Sequence, residues 1–249
     1  FVDTGSTDDT CEKIAAAFDA TWPATPGDGE TRQMPVYMRC GPGQPLVRIV
    51  LETFEWCDDF AKARNFAFSL GTAKWRMWLD ADDELTVDLP KEQQNGDTAA
   101  QHLRKALMHT DGLGQANVVM MMYNYAPPLL KQDKYRVVRW QDGWRWEGPI
   151  HEELVPHPSH QRVIASYREL SVVHQDARDP VRSIKRNTRI CTANYMEAFA
   201  KGNVELAARM AYYLGQYARL ENDRERATRF YVEAGTNLGL TNLAAYAWT

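Results

Sequence analysis

The stretch that decides how this chain reads is residues 76–85, Arg76-Met77-Trp78-Leu79-Asp80-Ala81-Asp82-Asp83-Glu84-Leu85. An apolar, aromatic run ends in three acids within four residues: Asp80, Asp82 and Asp83. Crowded carboxylates raise one another's pKa and cost energy unless a cation neutralises them. In open α/β sheets, ligands bind at the carboxyl ends of strands. A strand WRMWL is then a rigid mount for the acids. The cation that suits them is a hard divalent ion, magnesium or manganese, which typically shares one or two carboxylates with substrate phosphates. The plainer reading of D-x-D alone is a solvated turn, with Asp82 or Asp83 capping the next element.

Working outward, FVDTGSTDDT (1–10) reads as a strand tail, a Gly5-Ser6-Thr7 turn and a cap from Asp8, Asp9 or Thr10 for a helix CEKIAAAFDA. Such a junction turns helix amides outward, where phosphates sit. Residues 21–45, rich in Pro and Gly, predict a loop. LVRIVLETFEW (46–56) alternates as a strand. DDFAKARNFAFSLG (58–71) is a short helix with Phe60, Ala63, Ala67 and Leu70 on one side and Gly71 as its stop. Residues 86–97 predict a polar loop, AAQHLRKALMHT a helix, and ANVVMMMYNYA and YRVVRW strands. An aromatic loop follows from Trp144 to His151, then a last strand RELSVVHQD ending at His174. Strands alternating with helices predict an α/β domain with a mixed sheet. Its boundary is set at residues 1–178.

Residues 179–249 read as helices: VELAARMAYYLGQYARL, then RERATRFYVEAGTNLG, then a further helix at the end. Leu214, Gly215, Ala227, Tyr231 and Ala234 fall where a tetratricopeptide unit needs small and apolar residues. One such unit cannot bury its own face, so it stacks on further repeats or on the α/β domain.

The bulk figures set limits. The chain has 249 residues, 44% hydrophobic and 25% charged, which is ample for a sizeable core. A net charge of −4 gives no reason to expect a polyanion as the main partner. Cys11, Cys40, Cys57 and Cys191 lack zinc spacing and read as reduced thiols of a cytoplasmic protein. No apolar run approaches the length of a transmembrane segment.

Four motifs in one order, VDTGSTDDT, DFAKARNFA, WLDADDEL and WEGPIHEEL, carry a resemblance. The chain resembles the family 2 glycosyltransferases of the GT-A fold, and in particular bacterial members with a tetratricopeptide-like tail. The likeness covers nearly the whole chain. It implies a GT-A type fold, a Rossmann-like mixed sheet flanked by helices, whose first strand and helix precede VDTGST and are absent from this sequence. It implies a metal-dependent inverting transfer from a nucleotide-sugar donor, UDP-linked by default, with glucose or N-acetylglucosamine as first trials. It leaves the acceptor open among glycan, lipid-linked, peptide and nucleobase nucleophiles.

Residue by residue, the resemblance places Asp3 in the nucleotide pocket. Thr4 follows where many relatives have a second acid. Arg64 and Asn65 help to hold the donor, and a guanidinium is suited to a diphosphate. Asp80 falls to the ribose or the metal, and Asp82 to the metal, with Asp83 as an alternative ligand. His174 completes the metal shell as a neutral imidazole that a nearby carboxylate orients. Glu152 stands at the position of the base that takes the acceptor proton, with Glu153 as the next to test. Trp144 and Trp146 either stack on a sugar or fill the core. His102, His109, His157 and His160 receive no role.

Two other classes compete. A nucleotidyltransferase would also mount a metal on strand-end acids but would release pyrophosphate. A non-catalytic module would bind a nucleotide sugar, or a protein partner through its helical tail, or would self-associate through that tail.

Overall fold

The computed structural model describes residues 1–18, 33–39, 46–114, 116–125, 131–175 and 180–237. The end of the α/β region near 178, Cys40 and the final predicted helix lie outside them. The chain divides into two compact units. One holds residues 1–57, 61–147 and 152–177. The other holds 58–60, 148–151 and 178–249.

The first unit is a mixed α/β body. Its elements begin with β1 (Val2–Asp3), α1 (Thr10–Ala16), β2 (Gln33–Arg39) and β3 (Leu46–Thr53). These strands form a small sheet in the order β1-β3-β2, with β1 parallel and β2 antiparallel to β3. The stretch 33–39 is therefore a strand inside the region whose Pro and Gly content predicts loop. Pro35 fits because β2 lies at the sheet edge, where a missing N–H is tolerated. Then come α2 (Phe60–Leu70), β4 (Trp75–Met77), β5 (Asp83–Val87), α3 (Ala99–Leu113), β6 (Val118–Asn124) and β7 (Lys131–Arg139). A hairpin of β8 (Arg145–Glu147) and β9 (Glu153–Val155) follows, and β10 (Ile164–His174) ends the unit.

The main sheet is a curled, five-stranded one in the order β4-β7-β6-β10-β5. β6 and β10 run parallel, and the other pairings are antiparallel. Period-two alternation gives it two apolar faces. Val119, Met121, Val137 and Leu170 pack under α3 with Ala106, while Val118 and Val138 pack with Ala61 and Phe68 of α2 and with Trp144, Trp146 and Leu154. Capping of α3 follows the capping-box pattern: Thr98 accepts from the Gln101 amide and Gln101 reaches back to the Thr98 amide.

Two readings along this sheet change. The strand WRMWL is only Trp75–Met77, and the predicted loop at 86–97 begins as part of β5, whose Leu85 and Val87 face α3's side. β4 and β5 are opposite edges of the sheet. Four strand spacings are about 19 Å in a flat sheet. Six residue steps of about 3.3 Å would span that only if nearly extended, yet Asp80–Asp83 is a tight turn closed by the Asp83 amide on the Asp80 carbonyl at 3.0 Å. The sheet therefore curls, and Trp78–Asp82 crosses over the strand ends. The predicted loop at 144–151 likewise contains β8.

The second unit is helical: α4 (Pro180–Ala200), α5 (Val204–Leu220) and α6 (Arg224–Val232), followed by a short π-turn at Glu233–Asn237. The helices are joined by the short turns 201–203 and 221–223. In each a left-handed residue, Gly202 or Asn222, precedes a capping side chain, Asn203 or Asp223, which accepts an amide of the next helix. Gly215 lets α5 and α6 meet, because a Cβ there would lie 2.7 Å from the Tyr231 ring. Cys191 is buried, and burial pushes its thiol up to about 12, so it is inert. Cys11 and Cys57 are likewise in no disulfide. Among the described residues no helix is long and apolar enough to cross a membrane.

Candidate active site

Two charged groups gather where β4, β6 and β10 end. The first is centred on Arg64 of α2. Its Nη2 is 2.9 Å from Asp80 Oδ1 and its Nε donates to Glu152 Oε1 at 2.5 Å. The guanidinium lies over Trp78 at 4.4 Å and Trp146 at 5.0 Å. Burial works against its charge, but Asp80 and Glu152 outweigh that and raise its pKa. Two motifs thus meet on one cation. Glu152 is 11% exposed, whereas Glu153, which opens β9, faces outward.

The second group is built by strand register. The last residue of β10, His174, pairs directly with the first of β5, Asp83. Asp83 Oδ1 accepts from His174 Nδ1 at 3.0 Å and from the Tyr123 hydroxyl at 2.9 Å. Asp83 Oδ2 accepts from Arg136 Nη1 at 3.1 Å and from the Asp80 amide at 3.2 Å. Both side chains of the Asp83–Arg136 pair are fully buried. Arg136 sits at an irregularity in the β6–β7 ladder, beside Tyr135. Such a bulge re-aims side chains, and here the guanidinium lies 3.6 Å from the Trp78 ring centre and 4.1 Å from that of Tyr123. Burial alone would raise the Asp83 pKa, but His174, the Asp80 amide, Arg136 and Tyr123 together lower it. Burial and the neighbouring Asp83 carboxylate push the Tyr123 phenol up, so it stays a donor.

Asp82 is 20% exposed, with its Oδ1 3.6 Å from His174 Nδ1. Ligand atoms of Asp82, Asp83 and His174 lie within 4.8 Å of one another. The donor set fits a divalent ion. The neighbouring amide, phenol, imidazole and guanidinium already occupy Asp83, which makes it the orienting carboxylate. His174 Nδ1 lies 3.0 Å from Asp83 Oδ1 and 3.6 Å from Asp82 Oδ1, so the imidazole stands beside both acids.

The remaining predicted residues make contacts of their own. The Asp3 carboxylate closes its own turn by accepting from the Gly5 amide at 3.0 Å and from the Ser6 amide and hydroxyl. Thr4 beside it is exposed. Among the described residues neither is hydrogen-bonded to the Arg64 group. Asn65 is a brace: its Nδ2 donates to the Trp146 carbonyl and its Oδ1 accepts from the Trp146 amide, each at 2.9 Å. Replacing Asn65 by Ala is expected to destabilise the fold by about 2 kcal/mol, since a part-buried strand loses a donor and an acceptor together. A melting curve would show a fall of roughly 5 °C. Trp144 and Trp146 both fill the core, 1% and 5% exposed, which removes them as sugar platforms. Arg136 and Tyr123 were missed by sequence reasoning. The signal available for Arg136 was a charged residue directly before the apolar pair Val137-Val138 in YRVVRW.

Compared with known protein families and with curated proteins, the chain matches none.

Proposed function

We propose that the protein is a metal-dependent, inverting glycosyltransferase of GT-A type that uses a nucleotide-sugar donor, UDP-linked, and carries a tetratricopeptide-like tail. The observation that carries the reading is the gathering of Asp80 and Glu152 on Arg64, beside Asp82, Asp83 and His174, whose ligand atoms are close enough together to share a divalent cation. The order of the four motifs supports it. Asp82 and His174 would hold manganese or magnesium, whose charge offsets that of the departing nucleoside diphosphate. Arg64 offers a second positive centre for the diphosphate, acting on charge that grows in the transition state. Asp80 and the Asp3 turn serve the nucleoside. Glu152 takes the proton of the acceptor as it attacks the anomeric carbon. The helical tail serves as the surface that presents or recruits an acceptor, or a second copy of the chain.

Thermal stabilisation by UDP tests this directly. At a hundred times its Kd, UDP with manganese is expected to stabilise the protein by about 2.7 kcal/mol, a rise of roughly 5–10 °C. Asp82→Ala should lose the manganese-dependent part. No shift with any nucleoside diphosphate would leave a scaffold, and pyrophosphate release from a nucleoside triphosphate would make the protein a nucleotidyltransferase.

A further inference from the structure

Residues 148–151, which lead into Glu152, belong to the helical unit, as do residues 58–60 at the start of α2. Within that unit His151 has φ of 53°, a left-handed angle outside glycine. Such angles persist only where surroundings over-determine them. Here α5 supplies three holds. The Tyr213 ring stacks on the imidazole, with centroids 3.5 Å apart and planes 14° from parallel. The Tyr217 hydroxyl meets His151 Nε2 at 2.7 Å. Arg209 donates to the His151 carbonyl. That carbonyl belongs to the peptide group whose nitrogen is Glu152's, and the peptide is planar, so holding the oxygen holds the path into Glu152.

The same unit pins the entry to α2. Arg189 donates to both Asp58 oxygens, Arg186 lies 5.0 Å from the Phe60 ring, and the Phe60 amide donates to the Pro149 carbonyl at 2.8 Å. Arg64 follows one turn later on that helix.

We propose that His151, clamped by Arg209, Tyr213 and Tyr217, is a positioning residue for Glu152. The inference rests on the transferase reading above, in which Glu152 is the base. A bound base works only when aligned, and a misplacement of about 1 Å costs on the order of 10²-fold in rate. The clamp acts on the step in which Glu152 takes the proton, while Arg64 keeps Asp80 as its other partner.

The test uses the full chain with Tyr213→Ala, Tyr213→Phe and His151→Gly. Amide hydrogen exchange at residues 150–153, measured without ligand, should quicken at least about tenfold in Tyr213→Ala and His151→Gly. Transfer kcat should fall by about 30-fold or more in both, with donor KM within about twofold. Tyr213→Phe, which keeps the ring stack, should restore kcat to within about threefold of wild type. Unchanged exchange in both disruptive variants, or a loss borne by KM with kcat intact, would overturn the positioning role. A wild-type protein that transfers no sugar would overturn the transferase reading and Glu152's part in it, while the exchange data would still report on the clamp.

Discussion

Glu152→Gln is expected to lower sugar transfer by roughly 10²–10⁴-fold, the usual contribution of a positioned general base. It should leave UDP binding in the presence of manganese within about twofold of wild type. The separation follows from the geometry. Glutamine keeps an oxygen for the Arg64 Nε–H, which Glu152 now accepts at 2.5 Å, so Arg64 retains a neutral partner as well as Asp80 at 2.9 Å. What is lost is the ability to take a proton. Isothermal titration with UDP and manganese, set beside initial rates with the donor that the protein accepts, distinguishes the two effects. Transfer within threefold of wild type would remove Glu152 as base and leave it as a structural partner of Arg64.

Arg136→Met is expected to destabilise the protein by about 3–5 kcal/mol, because it strands the Asp83 carboxylate in a site with no exposure. The fall in Tm should be of the order of 10 °C. Adding Asp83→Asn should recover much of that, since an amide needs no counter-charge. The coupling between the two changes is the quantity to measure. The acid dependence has a definite sign. Asp83's pKa is lowered in the fold, so its charged form contributes stability that is complete above the ordinary aspartate range, about pH 4. That contribution is lost as pH falls through the lowered folded value. The stability gap between wild type and Asp83→Asn should therefore narrow only below about pH 4. A gap that stays constant down to pH 2, or an Arg136→Met protein as stable as wild type, would show that the buried pair is not coupled as described.

How much of this was legible beforehand differs by element. α5 runs from Val204 to Leu220, as its apolar spacing predicts, and β6 emerges from VVMMMYN because a continuous apolar run suits a central strand. β5 was hidden, since Asp83-Glu84 at its start reads as polar and only Leu85 and Val87 face the core. β2 was hidden by the Pro- and Gly-rich stretch around it. The acids were visible as a group, but not their division of labour. Asp80 turns to Arg64, Asp82 to His174, and Asp83 inward to Arg136. Arg136 itself carried no motif. It matters because a ladder irregularity aims it between Trp78 and Tyr123.

The sequence by itself determined the alternation of helices and strands, the helical stretch from about residue 180, and the presence of acids where an apolar run surfaces. These are periodic or local properties, written in the side chains along a few turns of chain. Only the tertiary structure decided which acid pairs with Arg64, which lies beside His174 and which is buried against Arg136. Those outcomes depend on distances between segments as far apart as Arg64 and Glu152, and electrostatic energy is set by separation and burial rather than by order along the chain.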